Sequence, residues 1–250
     1  MKIQTVLAPN PGPYTLEGTR SYVIGDDAVV DPGPSIGLHV EALLAAAPNV
    51  TKIFITHRHP DHAPAAAELR ARTGATIHAP AGVPGAEREL RDGETIELAG
   101  GTLEAIATPG HTGEHFCFLT SDGELFTGDT ILGEGTTTIF PPDGDMGAYI
   151  ESLRKLRARN PRAIYPGHGP IRKDAVALID SYIEHRLERE GQILDALASG
   201  PADVHALRHR VYPDLERSLH RAANLQIEAH LAKLAREGRV RQTAATWERA

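Results

Sequence analysis

The chain has 250 residues, 41% of them hydrophobic and 24% charged, with 26 Lys+Arg against 33 Asp+Glu for a formal net charge of −7. Those proportions fit a globular protein with a full core and exclude disorder or a fibrous repeat as the overall state. No apolar run approaches the roughly 20 residues that cross a bilayer, no basic start leads into an apolar stretch, and the lone Cys117 excludes a disulfide framework, so a cytoplasmic protein without a membrane partner is expected.

Taken in chain order, Tyr22–Asp31 (YVIGDDAVVD) reads as strand, turn, strand. A helix over about 37–47, a strand at 52–56, a helix at 64–73 and a strand at 76–79 follow. Strands near 94–98, 103–107, 116–119 and 125–127 come next, then a helix at 145–158, a strand at 162–165 and a long helix at 174–198. Alternating strand pairs and helices define a layered α/β fold. Beyond Ser199-Gly200-Pro201 the character changes. A short helix at 202–211, a longer one with Leu215, Leu219, Ala223, Ile227, Leu231 and Leu234 on one face, and a hairpin over 240–247 outline a winged helix. Charge changes with it: residues 1–200 carry 17 Lys+Arg and 27 Asp+Glu (net −10), residues 201–250 carry 9 and 6 (net +3).

The chemistry concentrates in Thr56-His57-Arg58-His59-Pro60-Asp61-His62. His57 and His59, two residues apart, point the same way in an extended loop and can grip one ion; Asp61 and His62 can face a second. Three further turns, each after a strand, present one ligand-type side chain: His111 in TPGHTG, Asp129 in FTGDT and His168 in YPGHGP. Together these supply seven ligands, enough for two ions. Asp31, at a strand end before Pro-Gly, is expected to hydrogen-bond one of the histidines from behind. His115 reads as a pocket-wall or surface residue, His39, His78, His185, His205, His209, His220 and His230 as structural or solvated, and Cys117 as a buried inert thiol.

Through these motifs, residues 1–173 resemble the metallo-β-lactamase-fold hydrolases. GDTILGEGTTT (128–138), IYPGHGPI (164–171) and YIEHRLEREGQIL (182–194) are similar to a narrower subgroup of them, a likeness extending to about Val240. The resemblance implies an αββα sandwich as catalytic domain over 1–173, and a connecting helix with winged helix over 174–250. It implies two zinc ions, replaceable by manganese or iron: the first on His57, His59 and His111, the second on Asp61, His62 and His168. Asp129 would bridge the two, with Asp61 and Asp129 as the catalytic carboxylates and a metal-bridging hydroxide as nucleophile. Ala63-Pro64-Ala65-Ala66 stands where family members often have small residues with a Gly pair, a departure expected to alter the following helix turn and substrate access.

The subgroup implies an endoribonuclease on single-stranded RNA, with Arg208, Arg210, Arg217, Arg221, Lys233, Arg236, Arg239 and Arg241 as candidate phosphate contacts, although only 5% of residues are aromatic and offer stacking. The alternative is a hydrolase of small acyl substrates (esters, thioesters or lactones), with weak β-lactam cleavage as a side activity. A complete ligand set argues against a winged-helix regulator with a vestigial metal domain. The sequence assigns no oligomeric state.

Overall fold

The computed structural model describes residues 1–250. Two strands escape the sequence reading, one of only two residues (Arg88–Glu89). The other is β1 (Ile3–Leu7), whose IQTVL buries only Val6 and so lacks a clear alternation. It pairs antiparallel with β2 (Arg20–Ile24), which pairs antiparallel with β3 (Ala28–Val30) across a turn where Gly25 adopts a φ of 64°, a conformation open to glycine at no steric cost. Parallel additions of β4 (Lys52–Phe54), β5 (Thr76–Ala79) and the two-residue β6 (Arg88–Glu89) complete a six-stranded sheet. The second sheet runs β11-β10-β9-β8-β7, built from β7 (Glu94–Leu98), β8 (Gly101–Ala107), β9 (Phe116–Thr120), β10 (Glu124–Gly128) and β11 (Ala163–Pro166), with only β10 and β11 parallel.

The period-2 alternation of the strands sorts their side chains into two layers. Tyr22, Ile24 and Val30 meet Phe54, Phe118 and Phe126 between the sheets, while Val23 and Val29 face the other way, onto α1 (Gly37–Ala46) and α2 (Ala65–Thr73) through Val40, Leu43 and Leu69. Outside the second sheet, Ile106, Cys117, Leu125 and Ile164 receive α3 (Met146–Ala158) and the first half of α4 (Ala175–Ala198) through Tyr149, Leu153, Ile179 and Tyr182. The result is the expected αββα sandwich. Buried Tyr22 keeps its hydroxyl satisfied by donating to Pro166 O at 2.7 Å, which bolts β2 to the end of β11.

Beyond it, α5 (Val204–Val211), α6 (His220–Arg236) and the hairpin β12 (Val240–Thr243)–β13 (Thr246–Arg249) enclose a separate core of Leu207, Ile227, Leu231, Leu234 and Val240 against Ile193, Leu194 and Leu197 of α4. The helix α4 thus serves both cores, and the division at 173/174 falls at its start. One expectation is corrected. The long tail helix begins only at His220, after a 3₁₀ turn at Arg217–Leu219, because Glu216 is extended (ψ 143°); Leu215 lies outside it and Leu219 is half exposed. Ala65 and Ala66 are buried in the first turn of α2, with Pro64 exposed just before it, so the departure at 63–66 falls on the helix turn where it was expected.

His230, on α6, is fully buried and neither ring nitrogen has a partner. Burial, with Arg186, Lys233, Arg189 and His185 nearby, pushes it down to about 3. A histidine kept neutral by the fold takes a proton near 6.5 once unfolded, so its contribution is intact above that pH and is lost as pH falls towards 3. Between pH 7.5 and 5.5, urea unfolding should therefore show the wild type losing about 1.4 kcal/mol more than His230→Leu. Parallel pH profiles would contradict this.

Candidate metal centre

Asp31, the 57–62 segment, His111, Asp129 and His168 all follow closely on the C-terminal ends of strands: β3, β4, β8, β10 and β11 respectively. Backbone hydrogen bonds tie these ends together: Arg20 N donates to Gly167 O (2.8 Å), Gly167 N to Gly128 O (2.8 Å), Phe116 N to Thr56 O (2.8 Å) and Gly33 N to His62 O (2.9 Å). All seven residues singled out from the sequence converge.

Orientation is imposed from behind. His62 Nδ1 donates to Asp31 Oδ2 at 2.8 Å, His111 Nδ1 to Thr138 O at 2.9 Å and His168 Nδ1 to Gly18 O at 3.3 Å. Thr56 Oγ1 gives its proton to Asp31 Oδ2 (2.8 Å) and so accepts from His57 Nδ1 (2.9 Å). In these four rings Nδ1 carries a proton and Nε2 is turned inward. The expected contact of Asp31 is therefore present and reaches two histidines, one directly and one through Thr56. Asp31, buried and at φ 46°, also accepts from Thr56 N at 2.8 Å.

The inward atoms form two groups. In the first, His59 Nδ1 lies 2.9 Å from His57 Nε2 and 3.2 Å from His111 Nε2, with Asp129 Oδ2 3.6 Å from the latter. In the second, His168 Nε2 lies 3.3 Å from His62 Nε2 and 3.1 Å from Asp61 Oδ2, and Asp129 Oδ1 is 3.3 Å from both imidazoles. Within each group every potential ligand atom lies within 4.8 Å of the others. The set fits cations rather than a hydrogen-bond network. The Nε2 atoms of His57 and His111 turn inward as acceptors, and buried Asp129 Oδ1 has no hydrogen-bond donor. Asp129 presents one oxygen to each group.

Burial and the carboxylates divide the rings. Burial, reinforced by the surrounding imidazoles, pushes His57 well below the usual histidine range, and burial also lowers His59. Burial opposes the charge on His62, but the Asp129 and Asp31 carboxylates outweigh it and hold this ring well above that range. Asp129 stays far below the usual carboxylate range, because the neighbouring imidazoles overcome its burial.

His115 is no surface residue: it is buried, stacks on His57 (centroids 4.9 Å apart) and accepts from Asp129 N at 3.3 Å through Nε2. The His-Thr-Gly-Glu-His spacing carried that placement. Cys117 is buried, and burial pushes its thiol up to about 12, so it is inert as expected. At the rim, Arg58 is held by Glu114 and Asp143, and Arg20 by Glu17. The tail cations are also engaged: Lys233 and Arg239 on Glu190, Arg236 on Asp145, Arg241 on Glu248, while Arg208 is buried and Arg210 donates to Ala196 O. Arg217 and Arg221 remain exposed.

With this geometry the chain belongs to the metallo-beta-lactamase superfamily, which it matches over residues 14–168, and is a hydrolase of that superfamily. Residues 204–247 match the beta-lactamase associated winged helix domain. The beta-lactamase-like protein 2 homolog of Caenorhabditis elegans is 36% identical over 254 residues, 94% of this chain and 85% of that one. An atrochrysone carboxyl ACP thioesterase of Aspergillus fumigatus is 31% identical over 211 residues, 78% of this chain and 65% of its own. A metallo-beta-lactamase family protein of Thermus thermophilus shares the fold across 99% of this chain and 98% of its own (TM-score 0.80, 22% identity). No helix of the chain is long and apolar enough to cross a membrane.

Proposed function

We propose that the protein is a binuclear zinc hydrolase of acyl thioesters and esters. His57, His59 and His111 would hold one ion, Asp61, His62 and His168 the other, and Asp129 both. Manganese or iron suits the same mixed imidazole–carboxylate set. The observation that carries the reading is the divided carboxylate of Asp129, one buried oxygen turned to each histidine group. When bound, the ions supply Lewis acidity and a water acidified towards neutrality. Asp61, its side chain a quarter exposed, accepts the proton of the attacking water. It returns that proton to the sulfur or oxygen released when the acyl bond breaks. No protein nucleophile is required: Cys117 is an inert thiol, and the Ser21–His39 pair is buried.

The ion pairs favour an acyl substrate over RNA. Of eight tail cations read as phosphate contacts, Lys233, Arg236, Arg239 and Arg241 are neutralised by carboxylates, and the rim arginines are too. A polyanion would have to displace those partners before gaining the several phosphate contacts that bind a strand. The thioesterase similarity supports the same choice. Cleavage of single-stranded RNA is the second reading, supported by exposed Arg217 and Arg221 on the winged helix.

The test offers zinc-loaded protein short-chain acyl thioesters of pantetheine, with thiol release as readout, alongside a labelled single-stranded RNA. Thioester turnover with little dependence on salt between about 50 and 200 mM is expected. Intact thioesters with steeply salt-dependent RNA cleavage would overturn the acyl reading in favour of the nuclease. Because Asp31 fixes His62 and Thr56, Asp31→Ala should retain metal about 10- to 100-fold less tightly in dialysis against a chelator; unchanged retention would remove that role.

A further inference from the structure

Residues 129–145 form a long connection between β10 and α3, and three successive carbonyls in it are held in different ways. Thr137 O accepts from Arg186 of α4 at 2.6 Å, Thr138 O from His111 Nδ1 at 2.9 Å, and Ile139 O from Gln226 of α6 at 3.1 Å. Arg186 and Gln226 are joined to each other, guanidinium to Oε1, at 3.1 Å. The peptide that sets the angle of His111 is thus flanked on both sides by groups from α4 and α6, the second of them on the winged helix. Thr137 extends the connection to Asp129, its hydroxyl donating to Asp129 O at 2.8 Å.

Packing alone does not explain Arg186. It is 3% exposed and has no carboxylate partner; its charge rests on Thr137 O, on Gln226 and on the Tyr149 ring, 5.3 Å from the guanidinium carbon, and its Nε is unpartnered. Holding an unpaired guanidinium in such a place costs free energy that an apolar side chain would not. Tyr149 in turn donates to Thr130 O at 2.7 Å, and Tyr182, one turn before Arg186, reaches Leu132 and Gly135.

We infer that Arg186 and Gln226 are positioning residues for the His57/His59/His111 metal group. The winged helix, through Gln226, clamps the 137–139 peptides and thereby the inward angle of His111. The inference rests on the metal assignment proposed above and gives the appended module a role that needs no nucleic acid. It is also asymmetric. His168 is held by Gly18 O and His62 by Asp31, so neither histidine of the second group rests on the Ile139 peptide that Gln226 holds.

The experiment measures stepwise zinc dissociation constants of the full chain by competition with a chromophoric chelator. Gln226→Leu should weaken one of two equivalents by about 10- to 100-fold, the range found for groups that orient a ligand, and leave the other unchanged. A double-mutant cycle assigns the equivalent: the effect should vanish in a His111→Ala background and persist in full with His168→Ala. Should Gln226→Leu fail to fold, Gln226→Glu decides. It keeps an acceptor for Arg186 but loses the N–H given to Ile139 O, and it should weaken the same equivalent. Equal weakening of both equivalents, no weakening, or additivity with His111→Ala would overturn the clamp. A wild type that binds no zinc would instead sink the metal assignment itself.

Discussion

Asp129→Ala is expected to lower hydrolysis by at least about 10³- to 10⁴-fold and to leave at most one of two metal equivalents bound. The carboxylate is the one side chain with an oxygen in each histidine group, 3.3 Å from His62 and His168 on one side and 3.6 Å from His111 on the other. Removing it leaves the first group with imidazoles alone and the second with Asp61 as its single carboxylate against the proposed ions. Two ions acting together contribute several kcal/mol of transition-state stabilisation, and each 1.36 kcal/mol is about tenfold in rate. The fold should survive, since the backbone at 129 is held independently, its N–H by His115 and its carbonyl by Thr137. Metal-free circular dichroism should therefore match the wild type. Asp129→Asn separates charge from shape: the carboxamide keeps one acceptor oxygen but turns an NH₂ towards one group, so one metal equivalent should fail selectively. Two equivalents and undiminished turnover in Asp129→Ala would remove the shared-ligand assignment.

Much of the centre was legible in the sequence because metal ligands are imposed locally. Two histidines at i, i+2 on an extended segment share a direction whatever the fold does, and a ligand in a Gly/Pro turn after a strand is delivered to a sheet edge by the strand itself. Asp31 could be read the same way, from its place before Pro32-Gly33. What could not be read is where one segment's polar groups end in another. The Arg186–Thr137 and Gln226–Ile139 bonds span 49 and 87 residues, and nothing in the periodicity of α4 or α6 distinguishes a clamp from a solvated face. The tail cations mislead for that reason. Counted along the chain they make a basic module, yet Glu190 on α4 and Glu237 together neutralise two of them and Asp145, at the start of α3, a third. β1 was invisible because one buried residue in five leaves no alternation to detect.

Gly167→Ala should disable the centre almost as fully as loss of a ligand, although it removes no ligand. A Cβ at this position would lie 2.6 Å from His62 Cε1, 2.9 Å from Asp129 Oδ1 and 3.1 Å from Gly128 O. None of these can yield cheaply. His62 is pinned by Asp31, the carbonyl of Gly128 accepts from Gly167 N, and the Gly167 carbonyl accepts from Arg20 N. The added methyl must therefore wedge apart the shared carboxylate and the His62 ring, the pair that defines the second group. A misplacement of about 1 Å in a catalytic constellation costs on the order of 100-fold, so turnover should fall at least that far and the His62/His168 equivalent should weaken before the other. Gly191→Ala is the control. This position lies within α4 and a Cβ there meets nothing within 4 Å, so the same chemical change should stabilise the fold by about 0.5–1 kcal/mol through helix propensity and leave metal binding alone. If Gly167→Ala kept both equivalents and full turnover, the space between His62 and Asp129 would have to be looser than these distances allow. The rigid placement of the shared carboxylate would then fail as the basis of the reaction.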